Sequence, residues 1–250
     1  MKSQLSKILL IAMLTLGVAS YAAAQATIQE TVPGGELELE WVSGFGVPLL
    51  LTGETLESGD VGYDNPSGDH TVLVLENNPP MMGGLGMAMT NPGDTSDYVW
   101  EGWVNTGDAS TRRGLLFRGN PEIQFTTSYQ FVLEPGLLQL KFRKMTGHRS
   151  QDIVAWYTSD TPSGMPGENE WHHLKVEARG SNFRFWYDDY ELTQGTPVED
   201  TDLLSGWVGI LNFRYNLGGV QVLFDDLMMT DLGVVATTNE SWGSVKSLYR

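Results

Sequence analysis

From Thr71 to Met229 the chain is a succession of short runs rich in Val, Leu, Phe, Tyr and Trp, each closed by turn residues. Thr71 to Leu75, Tyr98 to Val104, Gly114 to Arg118, Tyr129 to Leu133 and Leu137 to Arg143 come first. Ile153 to Tyr157, Trp171 to Ala178, Phe183 to Tyr187, Trp207 to Leu211 and Val220 to Met229 follow. Asn91-Pro92-Gly93-Asp94, Asn105-Thr106-Gly107-Asp108, Glu134-Pro135-Gly136 and Ala178-Arg179-Gly180-Ser181-Asn182 separate them. Such clusters end strands because Pro removes a ladder donor and Gly adopts positive φ without cost. No window of about 11 residues in this body keeps a 3.6-residue apolar period. Strands without helices must bury their apolar faces against another sheet. An all-β fold is therefore expected, a two-sheet antiparallel sandwich or a barrel, in one domain over 27–232.

Two stretches refine the pattern. Glu36-Leu37-Glu38-Leu39-Glu40-Trp41 alternates strictly, which predicts a strand with Leu37, Leu39 and Trp41 inward. Met81 to Met89 combines Met with Gly, and reads either as a Gly-bent strand with adaptable core filler or as a binding lip.

Composition removes several functional classes. With 15 Lys+Arg against 31 Asp+Glu the net charge is -16, so a nucleic-acid partner is not expected. The absence of Cys excludes a disulfide framework, a thiolate metal site and a lipidated cysteine.

The first 26 residues read as a secretory signal peptide. Lys2 and Lys7 precede the apolar run Ile8 to Val18, and Ala22-Ala23-Ala24 and Ala26 supply small-residue cleavage sites. The run is short of the roughly 20 residues that span a bilayer, and no later stretch is long enough, so no transmembrane segment is expected. Export to the extracellular space, cell surface or periplasm follows. At the other end, over 233–250, Thr237 and Glu240 have capping-box spacing. Trp242, Val245 and Tyr249 then fall on one face of a short predicted helix. The ending Ser241 to Arg250 resembles a terminus seen on varied exported bacterial proteins. That implies a sorting or surface-attachment tag that meets secretion machinery; a frayed or self-packed tail is the alternative.

The stretch Asp97 to Asp231 resembles the concanavalin A-like lectin/glucanase superfamily, which includes laminin G-like domains. It is most similar to the secreted bacterial branch known as the 3-keto-disaccharide hydrolase domain. Asp97-Tyr98-Val99-Trp100-Glu101, Gly114-Leu115-Leu116-Phe117-Arg118, Trp171-His172-His173-Leu174-Lys175-Val176-Glu177-Ala178, Gly206-Trp207-Val208-Gly209 and Phe224-Asp225-Asp226-Leu227 follow that branch's motif order. Asp188-Asp189 departs from it, standing where the branch prefers Asp-Gly. The resemblance implies a jelly-roll sandwich with ligands on its concave sheet, and it places Glu101 and Arg118 at matching motif positions.

Strand parity sorts the side chains. Leu115, Phe117, Leu138, Leu140, Phe142, Leu174, Val176, Phe183, Phe185, Tyr187, Val208 and Ile210 are expected inward. Trp171, Lys175, Glu177 and Arg184 are expected outward, and Trp100 and Trp103 occupy opposite faces that parity cannot assign. The expected ligand set is outward: Glu101, Arg118, Lys141, Arg143, His173, Trp186 and Trp207. Flat aromatics suit the C–H face of a sugar ring, and Arg, Glu or His suit its hydroxyl rim. A glycan partner and a lectin-like, non-catalytic role follow. Glycoside cleavage and a structural or adhesive surface role are the alternatives. The Glu-x-Asp-x-x-Glu and Glu-x-Asp-x-Glu motifs of the glucanases do not occur, so no catalytic residue is assigned. His172 and His173 point to opposite faces and cannot readily share a metal. Structural calcium on Asp225 and Asp226, with Asp60, Asp64 or Asp69 as early partners, is one arrangement; an amide-bonded or solvent-facing Asp pair is the other.

Overall fold

The computed structural model describes residues 27–43, 49–77, 85–93, 95–105, 107, 111–122, 127–147, 149–214 and 218–233. The expected signal peptide, the tail with its predicted helix, and Met81 and Met82 lie outside the described residues. No helix among the described residues is long and apolar enough to cross a membrane.

Two antiparallel sheets carry the chain, as a jelly-roll sandwich. The first sheet holds β1 (Thr27–Glu30), β3 (Leu51–Thr55), β4 (Thr71–Glu76), β6 (Tyr98–Asn105), β11 (Trp171–Arg179), β12 (Asn182–Tyr187), β13 (Tyr190–Glu191), β14 (Val198–Glu199) and β16 (Gln221–Asp231). The second holds β2 (Val42–Ser43), β5 (Leu85–Thr90), β7 (Arg112–Asn120), β8 (Thr127–Glu134), β9 (Gln139–Thr146), β10 (Arg149–Tyr157) and β15 (Trp207–Phe213). In the first sheet the order runs β13-β12-β11-β6-β16-β4-β3, and in the second β10-β9-β8-β7-β15-β5-β2. Neighbours in each list pair antiparallel, and many are distant in sequence, so long-range register decides which side chains share a face.

Between the sheets the inward positions form one core. Phe117, Tyr129 and Phe142 from the second sheet meet Phe183 and Phe185 from the first, with ring centroids from 4.8 Å (Phe142 and Phe185) to 6.2 Å (Phe117 and Phe185). Offset and tilted rings of this kind add to the burial of apolar area itself. Trp100 is the inward indole of β6, fully buried, and its Nε1 donates to the Gly209 carbonyl of the facing sheet at 3.1 Å. Its buried N–H thus has the acceptor that a buried donor requires.

The expected strand at Glu36 to Trp41 is not one. This segment runs without a ladder because the Glu30 carboxylate, fully buried, takes its donors. The Glu38 and Leu39 amides each donate to it at 2.9 Å, and Trp41 Nε1 at 3.0 Å. Trp41 is still buried, whereas Leu37 stays exposed. Leu138, expected inward, sits in a left-handed turn and is half-buried.

Candidate functional site

A sandwich has two outer faces, and the expected ligand set divides between them. On the first sheet, register aligns Trp103 of β6 with His173 of β11. The adjacent outward row runs Glu101, Lys175, Trp186 and Glu191 across β6, β11, β12 and β13. Glu101, His173 and Trp186 are therefore brought together, with Trp103 and Lys175 among them. On the second sheet stand Lys141, Arg143 and Trp207. No ligand lying on one face reaches all of them.

The first-sheet face is amphipathic. Trp103 and Trp186 are both half-buried. The Trp103 and His173 rings lie 5.0 Å apart, tilted by 42°. His173 Nε2 stands 3.5 Å from Glu101 Oε2, and Lys175 Nζ stands 3.7 Å from the same oxygen. Burial pushes the His173 imidazole below its ordinary value, and the Glu101 carboxylate opposes that without reversing it. Lys175 and Arg184 approach the Trp186 ring at 5.3 and 5.0 Å, within cation–π range. Arg184 also grips Glu191, whose carboxyl falls to about 2 through that hydrogen bond. The face thus offers two indoles, two carboxylates (Glu101 and the Arg184-bound Glu191), an imidazole and two cations.

Arg118 corrects the parity expectation. β7 loses register against β8 between Phe117 and Asn120, and Arg118 sits in this bulge at φ 51°. The extra residue turns its side chain inward, where it is 1% exposed. Its guanidinium stacks 4.7 Å over Phe183 and donates to the carbonyls of Leu203 (2.7 Å) and Ser96 (3.0 Å). It is a clamp inside the sandwich, removed from both outer faces.

Lys141 and Arg143 point outward as expected, yet they are buried in an ion network. Lys141 Nζ lies 2.5 Å from Glu134 Oε2, and Arg143 Nε lies 2.6 Å from Asp152 Oδ1. Trp207 packs against Met87, Met89, Leu116, Val132 and Leu211, a second apolar cluster on that outer face. The Met87–Met89 portion of the Met-rich segment is thus strand packing. Arg112 and Glu134 join the second-sheet network and were not singled out from sequence. Only the β7–β8 register brings them side by side, and their run of residues carries no local signal of it.

Asp225 is 2% exposed and accepts from the backbone amides of Ser67 (2.9 Å) and Asp226 (3.0 Å), one at each oxygen. Burial, opposed by the Ser67 amide, pushes its carboxyl up to about 6. Asp226, in a bulge at φ 47°, is raised as well, by burial and then by Asp69. Of the three early acids, Asp69 is the neighbour; Asp60 and Asp64 line a separate hollow with Trp171. Among the described residues no three His, Asp or Glu side chains converge as a ligand set. Asp225 thus makes the backbone bonds of the amide-bonded arrangement.

His172 and His173 do point to opposite faces. His172 is buried against Tyr187, and its Nδ1 meets Asp188 Oδ2 at 2.8 Å. Asp188 also accepts the His173 amide at 2.8 Å, which fastens the β12–β13 turn to β11.

No protein-family model matches the chain, and no curated protein matches it in sequence. Solved structures do resemble it in fold. The carbohydrate-binding module CBM66 from Bacillus subtilis superposes with a TM-score of 0.53 at 15% identity, covering 77% of this chain and 97% of that one. A native glycosidic hydrolase superposes with a TM-score of 0.51 at 10% identity, covering 82% and 95%. The catalytic domain of an endo-1,3-beta-glucanase (laminarinase) from Thermotoga petrophila gives 0.50 at 11% identity, covering 84% and 99%. The chain therefore shares the jelly-roll fold of these structures. At this identity the likeness speaks to fold alone, and the choice of ligand rests with the side chains.

Proposed function

We propose that the protein is an exported, non-catalytic carbohydrate-binding module whose glycan lies across the outer face of the first sheet. The observation that carries this reading is the placement of Trp103 and Trp186 on one face with Glu101, His173 and Lys175 between them. Indole faces stack on sugar C–H surfaces, while the carboxylate, imidazole and ammonium bond the hydroxyl rim. The fold is also that of a structure named as a carbohydrate-binding module. Of the acids in this row, Glu191 is gripped by Arg184 at 2.9 and 2.7 Å and its carboxyl falls to about 2, so Glu101 lacks the raised acid partner that a glycosidase pair needs. Lys2, Lys7 and the run Ile8 to Val18 support export, and the tail over 233–250 supports contact with surface or secretion machinery. The motif order from Asp97 to Asp231 supports kinship with the 3-keto-disaccharide hydrolase branch.

A second reading, glycoside cleavage, is favoured by one observation: the Asp226 carboxyl, raised by burial, is opposed by the charge of His173, which stands 3.5 Å from Glu101. Both readings meet one experiment. A glycan array followed by calorimetry is expected to find a ligand whose affinity drops about 30-fold on Trp186→Ala, the loss of roughly 2 kcal/mol typical of an interface Trp. Absence of any glycan ligand, or affinity indifferent to both Trp186→Ala and Trp103→Ala, overturns the first-sheet site. Release of sugar from a panel of glycosides, lost on Glu101→Gln, turns the reading to catalysis.

A further inference from the structure

The outer face of the second sheet is divided into an apolar half and an ionic half. Register sets Leu85, Phe213, Arg112 and Glu134 side by side across β5, β15, β7 and β8. Two outward rows along, beyond Gly114, Val132 and Lys141, Leu116, Gln130, Arg143 and Asp152 align across β7, β8, β9 and β10. At the seam a pocket of about 140 Å³ opens. Leu85, Leu211 and Phe213 form its apolar wall; Arg112, Gln130 and Arg143 form its polar wall. This volume is well below the roughly 300–1,000 Å³ of drug-sized sites, and suits a single ring.

The charges around it do not cancel. Arg112, Lys141 and Arg143 stand against two carboxylates, Glu134 and Asp152. That leaves one positive charge in a protein whose net charge is -16. Arg112 lies 5.1 Å over the Phe213 ring. Its guanidinium falls to about 10, through burial first and the positive charge of Arg143 second, with Asp152 opposing. An anion between the two guanidiniums relieves that repulsion, and a carboxylate fits their planar forks.

We propose that this seam is a second binding site, for a small amphipathic carboxylate of one-ring size. Its carboxylate would meet Arg112 and Arg143, and its apolar face would rest on Leu211 and Phe213. A uronic acid residue of an acidic polysaccharide and a free organic acid share this chemistry. The test is calorimetry on the full chain with glucuronate, benzoate, glucose and sulfate as probes. At least one carboxylate is expected to bind, with glucose and sulfate at least tenfold weaker. Arg112→Gln is expected to weaken the carboxylate at least tenfold. Ser150→Tyr, at an exposed position on the pocket's rim, is expected to do the same by filling the pocket; it removes the hydroxyl that accepts from Arg143 Nη2 at 2.8 Å but keeps every charged group of the ion network. Stronger binding of glucuronate identifies the polysaccharide source, and stronger binding of benzoate the organic acid; either supports the site. Binding of no probe overturns it. So does equal binding of glucose or sulfate, or wild-type affinity in both variants when their melting curves show them folded. All probes are measured in the Trp103→Ala/Trp186→Ala background, which disables the first-sheet site, so they report on this pocket alone and the two readings fail separately.

Discussion

Asp188 and Asp189 occupy the two central positions of the β12–β13 hairpin with φ of 46° and 65°. Tyr187 and Tyr190 pair directly across them. Two successive positive φ values match the right-handed twist of the strands, which is why such turns favour Asn-Gly or Asp-Gly. Asp188 justifies its conformation through its bonds to His172 and to the His173 amide. Asp189 is exposed, and its side chain carries the steric cost of the left-handed region. Asp189→Gly is expected to raise stability by about 0.5–1 kcal/mol, visible as a higher urea midpoint at unchanged slope. A lower midpoint would show that the Asp189 carboxylate contributes more than its backbone costs. The turn itself was legible in the sequence, since two consecutive acids between alternating aromatic runs mark a hairpin.

β16 shows how one element is held by a loop. Its bulge between Asp225 and Met228 turns the Asp225 carboxylate under the 65–71 loop, where it takes the Ser67 amide. Asp225 holds its proton more tightly when folded, at about 6 against the ordinary 3.8. Between these values the native state binds more protons than the unfolded state. Stability from this group is therefore greatest below pH 4 and falls as pH rises through 6, by up to roughly 3 kcal/mol. Asp69, Asp188, Asp200 and Glu191 are shifted downward and act oppositely, losing stability as pH falls below 4. Asp225→Asn removes only the first contribution. Thermal melts from pH 4 to pH 7 are expected to show the variant gaining on the wild type as pH rises. Parallel curves would mean that Asp225 is ionised throughout. The sequence placed both acids on the last strand, but a bulge is a tertiary compromise between ladder and loop, and nothing local announces it.

Arg118 works at the scale of the whole molecule. It reaches from β7 to the carbonyl of Ser96, ahead of β6, and to that of Leu203, ahead of β15, while covering Phe183. Arg118→Ala leaves two carbonyls without that donor at the end of the core and is expected to cost about 2–4 kcal/mol in urea unfolding. A cost under 0.5 kcal/mol would mean that the two sheets hold together there without it. Composition and pattern by themselves determined that the chain is all-β and, within the regular strands, which residues turn inward. The two-residue period of a strand is a local property, so Leu174, Val176, Phe183, Phe185, Val208 and Ile210 could be assigned to the core from their neighbours alone. Parity says in or out; it does not say of which sheet. That choice depends on pairing between residues far apart in sequence, such as β6 with β16 and β11, and it separates Glu101, His173 and Trp186 from Lys141, Arg143 and Trp207. Where a bulge adds a residue, as at Arg118, or a buried carboxylate captures backbone donors, as Glu30 does, even local alternation yields. The reason is that a hydrogen bond supplied from across the fold outweighs the strand's own two-residue preference.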